Sequence, residues 1–126
     1  MTARPPVETI LLVEETLPIR RLIRRALQGY QVIEASDAEH AMVAAERHIS
    51  EIDLLVTDVM LPDLDGCDLA YCLGGIMKVL FVTRDAEDHA GARTRLRGPS
   101  LLLNPFSADE LLRRIRLVLD RRPLPA

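Results

Sequence analysis

Five short apolar runs are spaced along the chain, and most are followed by a stretch in which apolar residues recur with helical period. The runs fall at residues 10–13, 31–35, 52–57, 79–82 and 100–103, and their continuous apolar character predicts short strands buried on both faces. After Thr16, the residues Ile19, Leu22, Ile23, Ala26 and Leu27 share one helical face, while Arg20, Arg21, Arg24 and Arg25 take the other. Pro18 suits the first turn of that helix and Gly29 its end. Ser36 and Glu39 are spaced as a capping box for a second helix whose Ala38, Ala41, Met42, Ala45 and Ile49 share a face. A brief helix is expected over residues 67–73, stopped by Gly74 and Gly75. Ser107 and Glu110 form a further capping box. The last helix then turns Leu111, Leu112, Ile115, Val118 and Leu119 inward and Arg113, Arg114 and Arg116 outward, until Pro123 and Pro125 end it. Residues 84–98 are charged and carry only a weak helical period.

This alternation predicts an α/β domain with a parallel sheet covered by helices on both faces. In such sheets ligands bind at the carboxyl ends of the strands, near a switch in strand order. The residues at those ends are Glu14, Glu15, Asp58, Thr83 and Asn104.

Composition narrows the function classes. The 126 residues suit one domain, expected to span 1–126 with a core of about 8–120 and flexible tails at 1–7 and 121–126. Aromatics make up only 3% against 21 leucines, so the core is aliphatic and stacking platforms for single-stranded nucleic acid are nearly absent. The net charge of −3 gives no general attraction to nucleic acid or membranes. No apolar run approaches the roughly 20 residues of a membrane span, and residues 1–6 lack the apolar stretch of a signal peptide. A soluble cytoplasmic domain is expected, with Cys67 and Cys72 as reduced thiols whose spacing fits no zinc or redox pattern.

Three carboxylates converging at strand ends repel one another, and Mg²⁺, which takes one or two carboxylates with water and phosphate, relieves that repulsion. A carboxylate beside such a metal can also attack a phosphoryl group to give an aspartyl phosphate. The plainer alternative, that each acid caps a helix or sits solvated in a loop, suits any one of them alone. It suits three at the strand ends of one alternating domain much less well.

These segments resemble the response regulator receiver domain, the phosphoacceptor module of two-component signalling. The likeness rests on Glu14-Glu15 after the first apolar run, on Asp58, Pro62 and Gly66 in an Asp-x-x-x-Pro-x-x-x-Gly pattern, on Thr83, and on Asn104-Pro105-Phe106. It covers about residues 8–120, and the N-terminal phrasing looks like receivers attached to hybrid sensor kinases. The resemblance implies a flavodoxin-like three-layer sandwich, with five parallel strands in the order 2-1-3-4-5 and about five helices. It implies that Asp58 accepts a phosphoryl group from a histidine kinase or phosphotransfer protein. Glu14 and Glu15 would hold Mg²⁺ with Asp58 and the Met60 carbonyl, and Thr83 would be the phosphate-sensing hydroxyl. Such a domain is no enzyme in the ordinary sense: it catalyses only its own phosphoryl transfer and dephosphorylation.

Several positions depart from that pattern. Asn104 stands where the family has a phosphate-pairing lysine, and the chain's only lysine, Lys78, precedes the fourth strand, at the far end of the sheet. Glu15 replaces an aspartate, which weakens Mg²⁺ binding because that ion demands near-ideal octahedral geometry. Leu101 stands at the position of the family's switch aromatic, Arg84 follows Thr83 where a small residue is usual, and the segment between Leu73 and Lys78 is short. Asn104 offers only a neutral hydrogen bond, roughly half as strong as a charge-assisted one. Arg84 could swing over the phosphate as a compensating cation, although a solvated surface arginine is the simpler account.

A second function class is therefore open: an atypical receiver that acts as a protein-interaction module without phosphate control. Its face would comprise the 84–98 stretch, the fifth strand and the last helix, which could also form a homodimer. The Asp63-Leu64-Asp65-Gly66 segment reads as a turn, not a calcium loop or a phosphatase motif. Arg93, Arg95 and Arg97 read as a solvated or partner-facing patch, without direct nucleic-acid binding. His40, His48 and His89 have no ligand-spaced partner.

Overall fold

The position of each strand in the sheet accounts for how continuous its apolar run is. In the computed structural model, which describes residues 7–73, 77–83 and 101–121, five parallel strands form one sheet in the order β2-β1-β3-β4-β5. They are β1 (Thr9–Val13), β2 (Gln31–Ala35), β3 (Ile52–Asp58), β4 (Lys78–Thr83) and β5 (Leu101–Leu103). β1 is buried at every residue, β3 at every residue except Asp53, and the edge strands β2 and β5 are each buried at only one. Strand order and parallel pairing are those expected from the family resemblance.

Four helices are described: α1 (Leu17–Ala26), α2 (Ala38–Arg47), α3 (Gly66–Cys72) and α4 (Ala108–Leu119). Residues 84–98, the place of a fifth, lie outside the described residues. On one face of the sheet Ile10, Leu12, Leu54 and Val56 meet Ile23 and Leu27 beside α4's Leu111 and Ile115. On the other, Leu11, Val13 and Leu55 meet Ala38, Ala41 and Ala45 of α2 and Leu69 of α3. Alternate residues along β1 and β3 thus serve two cores, and each buried Leu or Ile contributes roughly 1.5–3 kcal/mol.

Four helix details differ from the sequence pattern. Leu22, Met42 and Ile49 are exposed, at 64%, 37% and 53%. Leu22 and Met42 lie on the flanks of apolar arcs wider than the strip the sheet covers, and Ile49 falls beyond the end of α2. The cap of α2 is Asp37, not Ser36: its Oδ1 accepts the His40 N–H at 2.8 Å. Ser107 caps α4 as expected, its Oγ accepting the Glu110 N–H at 3.1 Å.

Lys78 opens β4, and its Nζ donates to the carbonyls of Leu119 and Arg121 at the end of α4. It therefore works at the amino-terminal edge of the sheet. Among the described residues no helix is long and apolar enough to cross a membrane.

Candidate functional site

The ladder register sets the site. Val13 pairs with Thr57, Asp58 with Val82, and Thr83 with Leu103. Glu14 and Asn104 are the residues that follow β1 and β5, so Glu14, Asp58, Thr83 and Asn104 stand along one carboxyl edge. The chain leaves β1 for β2 on one side while β3 lies on the other, so the crevice opens between Glu14 and Asp58.

Glu14, Asp58 and Thr83 are 1%, 5% and 2% exposed, a burial that is rare for the two carboxylates. Glu15 is exposed and Asn104 half-buried. Glu14 is tied down by its surroundings: Oε2 accepts the Thr16 N–H at 2.9 Å, and its carbonyl accepts from Arg20 Nη1 at 2.8 Å. Its other oxygen, Oε1, is buried without a hydrogen-bond partner among the described residues. That is a costly state for a carboxylate oxygen, and a bound cation would relieve it.

The loop after Asp58 explains the spacing of its motif. Val59 N–H donates to Val82 at 3.0 Å, Gly66 N–H donates back to Val59 at 2.7 Å, and Met60 bridges to Asp65. The chain thereby doubles back so tightly that a Cβ on Gly66 would sit 2.0 Å from the Asp58 carbonyl oxygen. Only glycine fits there. Asp65 Oδ1 accepts the Cys67 N–H at 2.7 Å and caps α3. Thr57 Oγ1 donates to the Asp58 carbonyl at 3.1 Å from a fully buried position.

Sequence reasoning missed three anchors. Asp63 reaches across to α2, accepting from the Ala38 and Glu39 N–H groups at 2.9 Å each. The Ala38 bond is the first cause that holds its carboxyl below the usual range. Arg20 bridges Glu14 to Glu34 on β2. Arg114, expected to face outward, is half-buried and donates from Nη1 to the Leu101 carbonyl at 2.6 Å. Each partner lies 6 to 25 residues away in sequence, and no local period signals such a contact.

The β4–β5 side is built differently. The Asn104 N–H donates to the Thr83 carbonyl at 2.8 Å, and the Asn104–Pro105 peptide is cis. Leu101 pairs with Phe81, and both belong to a small cluster with Val59. Arg84, Arg93, Arg95, Arg97 and His89 lie outside the described residues.

Among the described residues no three His, Cys, Asp or Glu converge as a cation cage. Mg²⁺ does not need one, since it is usually held by one or two carboxylates with waters and phosphate. Two buried carboxylates at neighbouring strand ends, one with an oxygen lacking a partner, fit that ion. Exposed Glu15 is not drawn into a three-acid cluster with them.

A sequence model of the response regulator receiver domain matches residues 10–116. The response regulator MprA of Mycobacterium leprae is 38% identical over 120 residues, which is 89% of this chain and 51% of that protein. This chain spans about half the length of the curated relatives it matches. The receiver domain of the hybrid histidine kinase CckA superposes with a TM-score of 0.72 at 31% identity, covering 89% of this chain and 99% of that one. A receiver domain protein from Clostridium thermocellum reaches 0.79 at 23% identity over 90% of this chain and 95% of its own, a likeness of fold alone.

Proposed function

The chain belongs to the response regulator receiver domain family of two-component signalling, and on that premise we propose that Asp58 accepts a phosphoryl group from a histidine kinase or phosphotransfer protein. The observation that carries this reading is the buried pair Glu14 and Asp58 at the strand-order switch, with Glu14 Oε1 lacking a hydrogen-bond partner. In the transfer, an Asp58 carboxylate oxygen attacks the phosphorus of a phosphohistidine. A P–O bond forms, the P–N bond breaks, and the imidazole leaves with a proton from solvent. Mg²⁺, held by Glu14, Asp58 and the Met60 carbonyl with Glu15 at the rim, would supply charge neutralisation for the phosphoryl oxygens.

The residues around it have narrower roles. Gly66 and the Val59 bonds fix the Asp58 backbone, so the nucleophile is positioned before the donor arrives. Thr83 presents a hydroxyl at the adjacent strand end, able to donate to a phosphoryl oxygen. Asn104 donates a neutral amide hydrogen bond where a cation would give a stronger one, and Arg84 is the candidate for a compensating charge.

A second reading has one specific support: Lys78 is engaged at the end of α4, far from Asn104, so the site lacks a lysine. On that reading the domain binds partners without phosphate control. Incubation with a small acyl-phosphate donor and Mg²⁺, followed by intact mass, separates the two. The first reading predicts one added phosphoryl group, lost in Asp58→Asn. An unmodified mass together with no Mg²⁺ binding by calorimetry contradicts it and leaves the second. A shortened phosphoryl lifetime in Arg84→Ala identifies that arginine as the compensating cation, and an unchanged lifetime dismisses it.

A further inference from the structure

The amino-terminal end of the sheet carries a charged hollow that the acceptor crevice does not use. It is a depression of about 430 Å³ where the last turns of α1 meet the start of β2. Arg21, Arg24 and Arg25 line it together with Gln28 and Tyr30, and no acidic residue does so among the described residues. Buried Leu27 gives it an apolar wall.

Its donors are largely uncommitted. Among the described residues, the side chains of Arg21 and Arg25 make no ion pair or hydrogen bond. Arg24 gives Nη1 to Glu34, which leaves the rest of a five-donor guanidinium. The Tyr30 hydroxyl accepts from Arg116 Nη1 at 3.3 Å, so its oxygen is held and its O–H is left to donate.

Left alone, the cluster repels itself. Arg21 stands three residues before Arg24 and four before Arg25, spacings at which like charges destabilise a helix. The carbonyl end of α1 favours cations at Arg24 and Arg25, in its last turn, but Arg21 lies too early to benefit. The arginine-lined hollow beside α4 differs in this respect: it contains Asp120, paired with Arg116 at 2.7 Å.

We propose that the α1–β2 depression binds a chain of linked phosphates, inorganic or carried by a nucleoside. Arg21 and Arg25 are one turn, about 6 Å, apart along α1, so they reach separate phosphates of one chain. Planar guanidinium forks suit phosphate oxygens, and Arg24, Gln28 and Tyr30 donate to those that remain. A phosphate chain packs several charges into the span of one helical turn, which an acidic peptide with one carboxylate per side chain does not. The depression lies at the opposite end of the sheet from Glu14 and Asp58, so it fills whether or not Asp58 carries a phosphoryl group.

The test is calorimetry on the whole chain without Mg²⁺, with tripolyphosphate as the probe. The parent should bind one tripolyphosphate, more weakly as salt rises. Arg21→Ala with Arg25→Ala should weaken binding about tenfold or more, because charge-assisted bonds to phosphate are lost. Arg113→Ala with Arg121→Ala removes the same charge from α4 and should leave the affinity within about twofold. Amide NMR during the titration should move residues 21–30. Circular dichroism matching the parent establishes that each variant folds; Arg21→Gln with Arg25→Gln replaces the first pair if it does not. Adenosine triphosphate as a second probe identifies the source: tighter binding than tripolyphosphate assigns the nucleotide, equal or weaker binding the inorganic chain. A parent that does not bind tripolyphosphate overturns the proposal. So do equal losses in the two double variants, polyglutamate bound as tightly as tripolyphosphate, or amide shifts centred on Glu14, Asp58 and Asn104.

Discussion

The β1–β3 crevice and the β4–β5 edge share one carboxyl edge of the sheet but are built to different standards. In the crevice, two strands buried almost throughout deliver Glu14 and Asp58, and a turn tight enough to admit only Gly66 fixes the Asp58 backbone. At the edge, β5 is three residues long, Leu101 and Asn104 are half-buried, and the residue that follows Thr83 is an arginine. The crevice carries the two buried carboxylates on which the proposed phosphoryl acceptance rests. Among the described residues, the edge carries Leu101 and Asn104 where the family resemblance implies a ring and a lysine. On the proposed function, acceptance and readout are thus separable in this domain.

The strongest break in that contrast is Gly66→Ala. A methyl 2.0 Å from the Asp58 carbonyl cannot be accommodated without moving backbone. The variant should lose at least roughly 2–3 kcal/mol in denaturant unfolding and its phosphoryl uptake with it. Parent-like stability would mean that the turn is not the constraint. Next, Glu14→Gln should weaken Mg²⁺ binding about tenfold, or ~1.4 kcal/mol, by calorimetry. Equal affinity would remove Glu14 from the metal's surroundings.

Asn104→Lys works from the other side. A charge-assisted bond in place of a neutral one should raise phosphoryl occupancy about fivefold (~1 kcal/mol) while leaving Mg²⁺ affinity without phosphate unchanged. Occupancy that does not rise would show that the edge contributes nothing to acceptance. The smallest effect is expected at Asp63, whose bonds to the α2 N–H groups hold its carboxyl low. A depressed pKa gives stability that is present above the usual carboxylate range and lost as pH falls through the folded value. Asp63→Asn should therefore lower the melting temperature slightly at neutral pH and change little in acid, flattening the acid limb of melting temperature against pH.

Much of this contrast was legible in the sequence, and unevenly so. Strand positions, parallel pairing and the order of the acceptor residues follow from uninterrupted apolar runs and from Asp58, Pro62 and Gly66, because burial on both faces leaves a strong local signature. Absence of a lysine at position 104 needed only counting. What stayed hidden was non-local or a matter of degree. Asp63 caps a helix 25 residues away, and Arg114 turns inward to β5 despite its polar position in the helical pattern. The spacing of Leu22 is that of a buried residue, yet its exposure depends on where the sheet ends. Exposure of Glu15 beside buried Glu14 is likewise decided by how the chain turns into α1.

The separation of acceptance from readout is tested most directly by backbone amide NMR of the chain before and after phosphorylation at saturating Mg²⁺. Amide shifts are expected at Glu14, at residues 57–66, at Thr83 and at Asn104, which faces the phosphoryl group, with Leu101 and residues 105–119 holding their positions. Shifts of comparable size running through Leu101 into α4 would contradict the account, because the edge would then be reporting the state of Asp58.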